Sequence, residues 1–515
     1  MNNRSNWPRN KQTSLLLPGN NILILTGVLV VGLILAIYFG ISIGQGDYFE
    51  TYMVLLVLGT PAVLFLLKAN YWLIIPFAIR CGIPAIPLFA GKSVAFKEIW
   101  IVVSVAMLAG QFLLYRSRRT RFERIEFIPL YLIMAWVVVM FFREGIGLSI
   151  LGSTEQGGRK YLGIILAFFS LLVIAHQHIS EKQCKWLIRL ILSAAGVAMV
   201  VRLINYFFFR RTDYITEQWA SEHYTYHQIL SSFPLALIIW VFSKYSPAEI
   251  IVRLHMRMVA LLGVSYAVIF YSGKRMHLAL ALVVPAIAAL IRRQYGSVVM
   301  YGASAVVFLS VLLVGQGSLF NLPLSAERAL SFVAYIPGVE WKSSTLNVGK
   351  TNFRETLNEI ALDKIAEHPI TGNGLAVSLE EIKGFEAMEQ YATVDVDSYA
   401  FKMAAGSAWH NTWLGISTDF GIPCTLLFAV FWLQMFRYAF RLRRQLPVGS
   451  YARLLVTMIL LMNCGNLLQS WVAGHSLDDV LWSRAWQLGI LLAIRFNIET
   501  WSEESTDLEQ EKVKV

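Results

Sequence analysis

Three short segments hold the side chains best suited to gripping phosphate and moving a proton. Ser272-Gly273-Lys274-Arg275 follows one apolar run, Trp409-His410-Asn411-Thr412-Trp413-Leu414 opens another, and Arg354 stands between them near the start of a helical pattern. Arginine offers a planar, permanently charged fork that binds phosphate oxygens two at a time without a divalent metal. Histidine can take a proton from a hydroxyl at neutral pH. An imidazole and two guanidiniums brought to one membrane face therefore suit a transfer in which a diphosphate leaves.

Each residue has a plainer reading when taken alone. Arg275 at a helix end can be an interface anchor, Arg354 a solvated helix residue, and His410 between Trp409 and Trp413 part of an aromatic belt. Their concurrence on one face favours the functional reading, because ionisable groups at a membrane boundary are candidates by default. His475 with Asp478 and Asp479 is the rival for the base, or a site for an acceptor sugar; Lys274 and Asn411 border the same chemistry. His223 and His227 stand four residues apart but lack a third ligand, so no metal site is expected. Gly372-Asn373-Gly374 is no nucleotide loop, since no Gly-Lys-Ser/Thr follows. Gly157-Gly158-Arg159-Lys160 and Arg210-Arg211 read as lipid-headgroup anchors.

The elements that must position these residues are apolar. The chain has 515 residues, 44 Lys+Arg against 33 Asp+Glu, a net charge of +11, 15% charged residues and 56% hydrophobic ones. Its mean hydropathy is +0.56. That excludes a soluble globular enzyme, a disordered protein and a nucleic-acid binder. The basic excess is the one expected of cytoplasmic loops under the positive-inside rule. Cys81, Cys184, Cys424 and Cys464 form no CxxC or zinc spacing. The basic start (Arg4, Arg9, Lys11) precedes an apolar run too long for a signal h-region, so the first span reads as a retained anchor.

Apolar runs fall at 22–44, 52–67, 71–90, 98–115, 126–142, 161–177, 186–206, 226–242, 254–271, 277–291, 297–315, 411–436, 454–471 and 480–495. An all-α polytopic membrane protein of about 14 helices is expected. The run 71–90 carries Arg80, Pro76, Pro84 and Pro87, and a broken or re-entrant segment is its alternative. The basic clusters at 116–121, 292–293 and 437–444 all fall on the cytoplasmic side if the N-terminus is inside. The expected order is a cytoplasmic segment 1–21, helices over 22–315, a large external loop 316–409, helices over 410–495, and a cytoplasmic tail 496–515.

Between Gln316 and His410 there are 7 Lys+Arg and 12 Asp+Glu, a net of −5, and no run long enough to cross a membrane. Within this loop the pattern predicts a helix over 352–367, with Asn352 and Glu355 as a capping box and Arg354 in the first turn, where helix N-termini favour anions. His368-Pro369 ends it.

The stretch His410-Asn411-Thr412-Trp413-Leu414, continuing to Asp419-Phe420-Gly421-Ile422-Pro423, resembles the histidine motif of bacterial O-antigen ligases and O-antigen polymerases, His-Asn-x-x-Leu followed by an acidic residue, an apolar residue and Gly. Ser272-Gly273-Lys274-Arg275 looks like that family's Ser-Gly-x-Arg, and Arg354 with Pro369-Ile370-Thr371-Gly372-Asn373-Gly374 looks like its arginine-led loop helix. The likeness covers roughly 220–436. It departs at Asp419, where Glu is common, at Tyr224-Thr225-Tyr226-His227, where Asn-Pro-Asn is frequent, and at the extra charge of Lys274.

The resemblance implies a GT-C-like, metal-independent, inverting glycosyltransferase of the bacterial inner membrane that uses no cofactor. It implies a donor glycan on undecaprenyl diphosphate, an acceptor that is a glycan or lipid A-core, and action at the periplasmic face, with a chain-length regulator as a further partner. Arg275 and Arg354 would then hold the donor diphosphate, and His410 would activate the acceptor hydroxyl. The rival from another class is a polysaccharide flippase or exporter. A transporter concentrates ionisable residues at mid-membrane between two related halves, whereas this chain gathers them at one face beside one long loop.

Overall fold

The computed structural model describes residues 71–81, 86–87, 93–94, 96–114, 127–143, 157–177, 179–208, 229–252, 255–316, 319–322, 326, 330, 349–375, 404, 409–472 and 476–513. The expected spans at 22–44 and 52–67, the basic cluster at 116–121, and His223, His227 and His475 lie outside them.

Helices dominate. They are α1 (Ile74–Cys81), α2 (Phe96–Leu114), α3 (Ile128–Arg143), α4 (Gly157–Ala175), α5 (Glu181–Phe208), α6 (Ser232–Lys244), α7 (Pro247–Val252), α8 (Met256–Tyr271), α9 (Arg275–Ile291), α10 (Tyr295–Gly315), α11 (Gly349–Glu367), α12 (Thr412–Gln445), α13 (Tyr451–Val472) and α14 (Leu477–Val513). Helices suit such apolar sequence because they satisfy their own backbone groups, as a bilayer demands. Four described stretches are long and apolar enough to cross a membrane: Glu181–Ile204, Tyr295–Gly315, Thr412–Gln445 and Tyr451–Trp471. Shorter apolar helices accompany them, and together they make a helical, multi-pass membrane protein.

The segment 71–90 does not form one span. A turn of 3-10 helix at Tyr71–Leu73 leads into α1, which is eight residues long, and Ile86–Pro87 then pairs antiparallel with Ser93–Val94. Eight residues rise only ~12 Å against a hydrocarbon core of about 30 Å. The prolines of this stretch give the reason.

The core centres on α13, which packs against α5, α6, α9 and α12. Its residues from Leu455 to Met462 are buried almost without exception. α4 and α14 run parallel and close: a Cβ on Gly163 would meet Trp482, and one on Gly489 would come within 2.9 Å of Ile174. At the other extreme, Val299, Val306, Val307, Phe308, Val311 and Val314 of α10 are exposed. A surface so apolar matches lipid rather than water.

α14 continues to Val513, well past the apolar run. Its last stretch is rich in Glu, Gln and Lys, which are good helix formers. Loss of hydropathy there ends the apolar surface and leaves the helix intact.

Candidate functional site

The site is built around a break in α12. The sequence predicts one span over 411–436; the structure interrupts it at Gly421, whose φ of 83° and ψ of 166° are not helical. The piece 412–420 folds back on the piece 422–445. Trp413 stacks on Trp432 with ring centroids 5.7 Å apart, where a straight helix would separate them by ~28 Å.

A broken helix frees carbonyls and N–H groups that must find partners. The loop after α11 supplies them. The backbone N–H of Asn373 donates to Thr418 O and that of Gly374 to Asp419 O, both at 2.8 Å, while Ile422 N–H donates to Pro369 O at 2.9 Å. Trp136 Nε1 of α3 donates to Phe420 O at 2.9 Å. Pro423 has no N–H to offer, so Asp419 O has no α-helical partner within α12. The approach is tight: a Cβ on Gly421 would lie 2.0 Å from Ile370 O, and one on Gly372 2.5 Å from backbone atoms of Asp419 and Phe420. Both glycines also have positive φ. A side chain at either position meets both the steric and the conformational obstacle.

This clasp lays α11 along the 412–420 piece. Leu357 and Ala361 of α11, Ala404 and Trp409 form a buried cluster, with Ile360 and Leu414 packed on it. Trp409 Nε1 donates to Asp419 Oδ1 at 3.2 Å, tying the start of the short piece to its end. Asn411 caps it: its side-chain oxygen accepts from the N–H groups of Trp413 at 2.9 Å and Leu414 at 3.3 Å. His410 is thereby fixed immediately before a capped helix.

His410 is half-buried. Burial first, and the Arg354 cation second, hold its imidazole below the usual 6.5. The ring is therefore neutral at pH 7 and able to accept a proton. Arg354 itself is exposed. α11 begins at Gly349, three residues before the expected cap, so Arg354 lies in the second turn rather than the first. A capping box is worth only about 1 kcal/mol, and neighbouring residues override it readily. Arg354 is therefore set back from the free N–H groups of the helix end.

A second group surrounds Lys274 and Arg275. Gly273, with φ 69°, turns the chain between α8 and α9. Ser272 Oγ donates to Ile269 O at 2.6 Å and accepts from Lys274 N–H at 3.3 Å. Burial first, then the Arg202 charge, pulls the Lys274 amine down to about 8. His277 Nδ1 lies 2.7 Å from Ser231 Oγ. Arg275 opens α9 and is exposed. Basic groups from α5 and α9 thus converge there.

A third group opens α14. Burial, then Asp479, pushes the Asp478 carboxyl above its usual range, against Ser476, Lys160 and Lys97. Ser476 Oγ donates to Asp478. Lys97 Nζ lies 4.5 Å from the Trp482 ring centroid. Among the described residues no group of three or more His, Cys, Asp or Glu is arranged to hold a metal.

Residue type and spacing single out His410, Arg354 and Asn411, and the motifs include Asn373 and Gly421, but they give no holding role to these two and do not mark Trp136. Trp136, Asn373 and Gly421 carry the clasp, and the Gly421-Ile422-Pro423 triplet inside an apolar run was the available signal.

No curated protein matches the chain. Residues 258–429 match the family model described as O-antigen ligase, a stretch that runs from α8 into α12 and holds Arg275, Arg354, His410 and the Gly421 clasp. Over that stretch, about a third of its length, the chain is similar to the O-antigen ligase domain.

Proposed function

We propose that this protein is an inner-membrane glycosyltransferase that moves an undecaprenyl-diphosphate-linked glycan onto an acceptor sugar at the periplasmic face, in the manner of an O-antigen ligase or polymerase. The observation that supports it most is His410, whose imidazole pKa is held below its usual range by burial and the Arg354 charge, inside the matched domain.

In this reading His410 takes the proton of the acceptor hydroxyl as its oxygen attacks the anomeric carbon. The bond from that carbon to the diphosphate breaks, and the diphosphate leaves with both electrons. Arg354 and Arg275 balance its charge, which grows as the bond breaks, so they stabilise the transition state more than the ground state. Attack opposite the leaving group inverts the anomeric centre. Two guanidiniums supply the charge that a divalent metal supplies elsewhere. Lys274, Asn411, His475, Asp478 and Asp479 are assigned to the acceptor side. The loop 316–409 faces the periplasm and both termini face the cytoplasm, with the spans as predicted outside the segment 71–90 and the break at Gly421.

The test is transfer of a labelled lipid-linked glycan in membranes, with variants matched for abundance. His410→Ala is expected to lower transfer about 10²- to 10⁴-fold. Near-normal transfer would make His410 an interfacial residue and move the base to His475 and its aspartates. Reporter fusions after Arg293 and Arg444 should read cytoplasmic and one after Glu381 periplasmic; a cytoplasmic Glu381 would separate donor and base.

A further inference from the structure

Arg80 and Arg484 lie among apolar helices with no carboxylate paired to either among the described residues. Arg484, near the start of α14, is 2% exposed. Its guanidinium carbon sits 4.4 Å from the centroid of Trp432. Its Nη1 reaches only Ser483 Oγ, its chain neighbour, at 3.3 Å. Its Nε is buried without an acceptor. Arg80, near the end of α1, directs Nη1 at the Met462 sulfur, 3.4 Å away and a weak acceptor. α1 packs against α14, and the Arg80 charge is felt at Arg484.

The polar groups beside them are mostly unused donors. Nε1 of Trp432, Nε1 of Trp413 and Nε2 of Gln487 are all buried without partners. Gln487, one turn past Arg484, gives its oxygen to Asn463 Nδ2 at 2.9 Å, which leaves Asn463 Oδ1 as an unused acceptor on the same amide pair. A buried and a half-buried cation without a counter-charge among the described residues are disfavoured in apolar surroundings. Contact with the Trp432 ring offsets only part of that cost. Two planar forks with N–H donors around them match the oxygens of a phosphate. The surroundings are apolar, so an anion that reaches this place by way of the bilayer carries an apolar chain.

The geometry points to a lipid-borne phosphate or diphosphate headgroup bound between Arg80 and Arg484 against the face of Trp432. This site is separate from the assignment of Arg275 and Arg354 to the donor and does not rest on the transfer reading. Among the described residues, Trp413, three residues beyond His410, links it to that site through its ring stacked on Trp432.

The experiment is the thermal midpoint of the purified, delipidated full chain, titrated with farnesyl diphosphate, phosphatidylglycerol or phosphatidylcholine. A rise with farnesyl diphosphate alone assigns the site to polyprenyl diphosphates, and a rise with phosphatidylglycerol as well assigns it to anionic phospholipids generally; phosphatidylcholine should do less than either. The double variant Arg80→Gln/Arg484→Gln should lose the part of the rise that Arg275→Gln/Arg354→Gln, with its donor site disabled, retains. If neither anionic probe raises the midpoint, or only the second double variant loses the effect, the inference falls. Should the first double variant not accumulate, Arg484→Lys is titrated in its place. About tenfold weaker half-saturation is expected from loss of the fork, and unchanged half-saturation overturns the site. Glycan transfer by the same preparations is scored separately, so a failed transferase reading leaves this result intact.

Discussion

Ser417 and Thr425 share a hydroxyl–hydroxyl hydrogen bond of 2.8 Å although eight residues separate them. On a straight helix those positions lie ~12 Å apart. The bond exists because the chain reverses at Gly421, and the reversal sets the Trp413 ring on Trp432 and Trp471. It also exposes the carbonyls that the loop at 369–374 captures.

The pH dependence of transfer follows from the surroundings of His410. Burial and Arg354 lower its folded-state pKa, so the neutral base persists below the unperturbed value of 6.5. Activity should therefore be retained as pH falls through 6.5 and lost only lower down. Arg354→Gln removes one of the two causes, so the acid limb should move towards higher pH while the rate falls. Rate–pH profiles of both proteins check this, and an acid limb that does not move separates the two residues.

Glycine substitutions should rank by what the new Cβ meets. Gly421→Ala meets Ile370 O at 2.0 Å on a backbone with φ 83° and should cost more than about 2 kcal/mol. Gly449 has a similar φ of 88° but open space around it, so Gly449→Ala should cost only about 1 kcal/mol. Thermal unfolding of the purified protein measures both. Equal losses would mean that the clasp contributes nothing beyond backbone conformation.

Asn411→Ala removes the oxygen that holds the N–H groups of Trp413 and Leu414 and should cost about 1 kcal/mol. Asn411→Asp or Asn411→Ser preserves an acceptor and should recover most of that stability. If transfer recovers with it, Asn411 serves as a cap; if stability recovers alone, its amide also touches the acceptor.

Transfer that depends on guanidiniums should survive excess EDTA in purified membranes. Loss of activity restored by Mg²⁺ or Mn²⁺ would shift attention to Asp478 and its neighbour Asp479.

Much of the helical framework is legible in apolar runs. The runs at 254–271, 277–291 and 297–315 correspond to Met256–Tyr271, Arg275–Ile291 and Tyr295–Gly315. Those helices follow one another with tight turns at Gly273 and Arg293, so hydropathy alone marks them. The reversal at Gly421 is invisible to hydropathy averaged along a window, which carries no information about direction; only the Gly421-Ile422-Pro423 triplet marks it. The short α1 is legible as the alternative for 71–90, because Pro76, Pro84 and Pro87 set a limit on length that apolar composition does not. At the candidate site, residue type identified His410 and Arg354. Their meeting depends on Asn373 and Gly374 reaching Thr418 and Asp419, a long-range pairing of backbone groups that no side-chain pattern records.

Chain order makes that pairing a late event in biogenesis. Asn373 and Gly374 leave the ribosome well before Thr418, Asp419 and Ile422, their backbone partners. Until those residues arrive, Leu357 and Ala361 lack the Trp409 ring that covers them. Until then the segment 349–375 stays unlatched, with its side of the backbone pairing unmade. Closure then occurs only once α12 has entered the membrane and turned back at Gly421. A polypeptide stalled before that glycine would carry Arg354 and His410 and still have no working site.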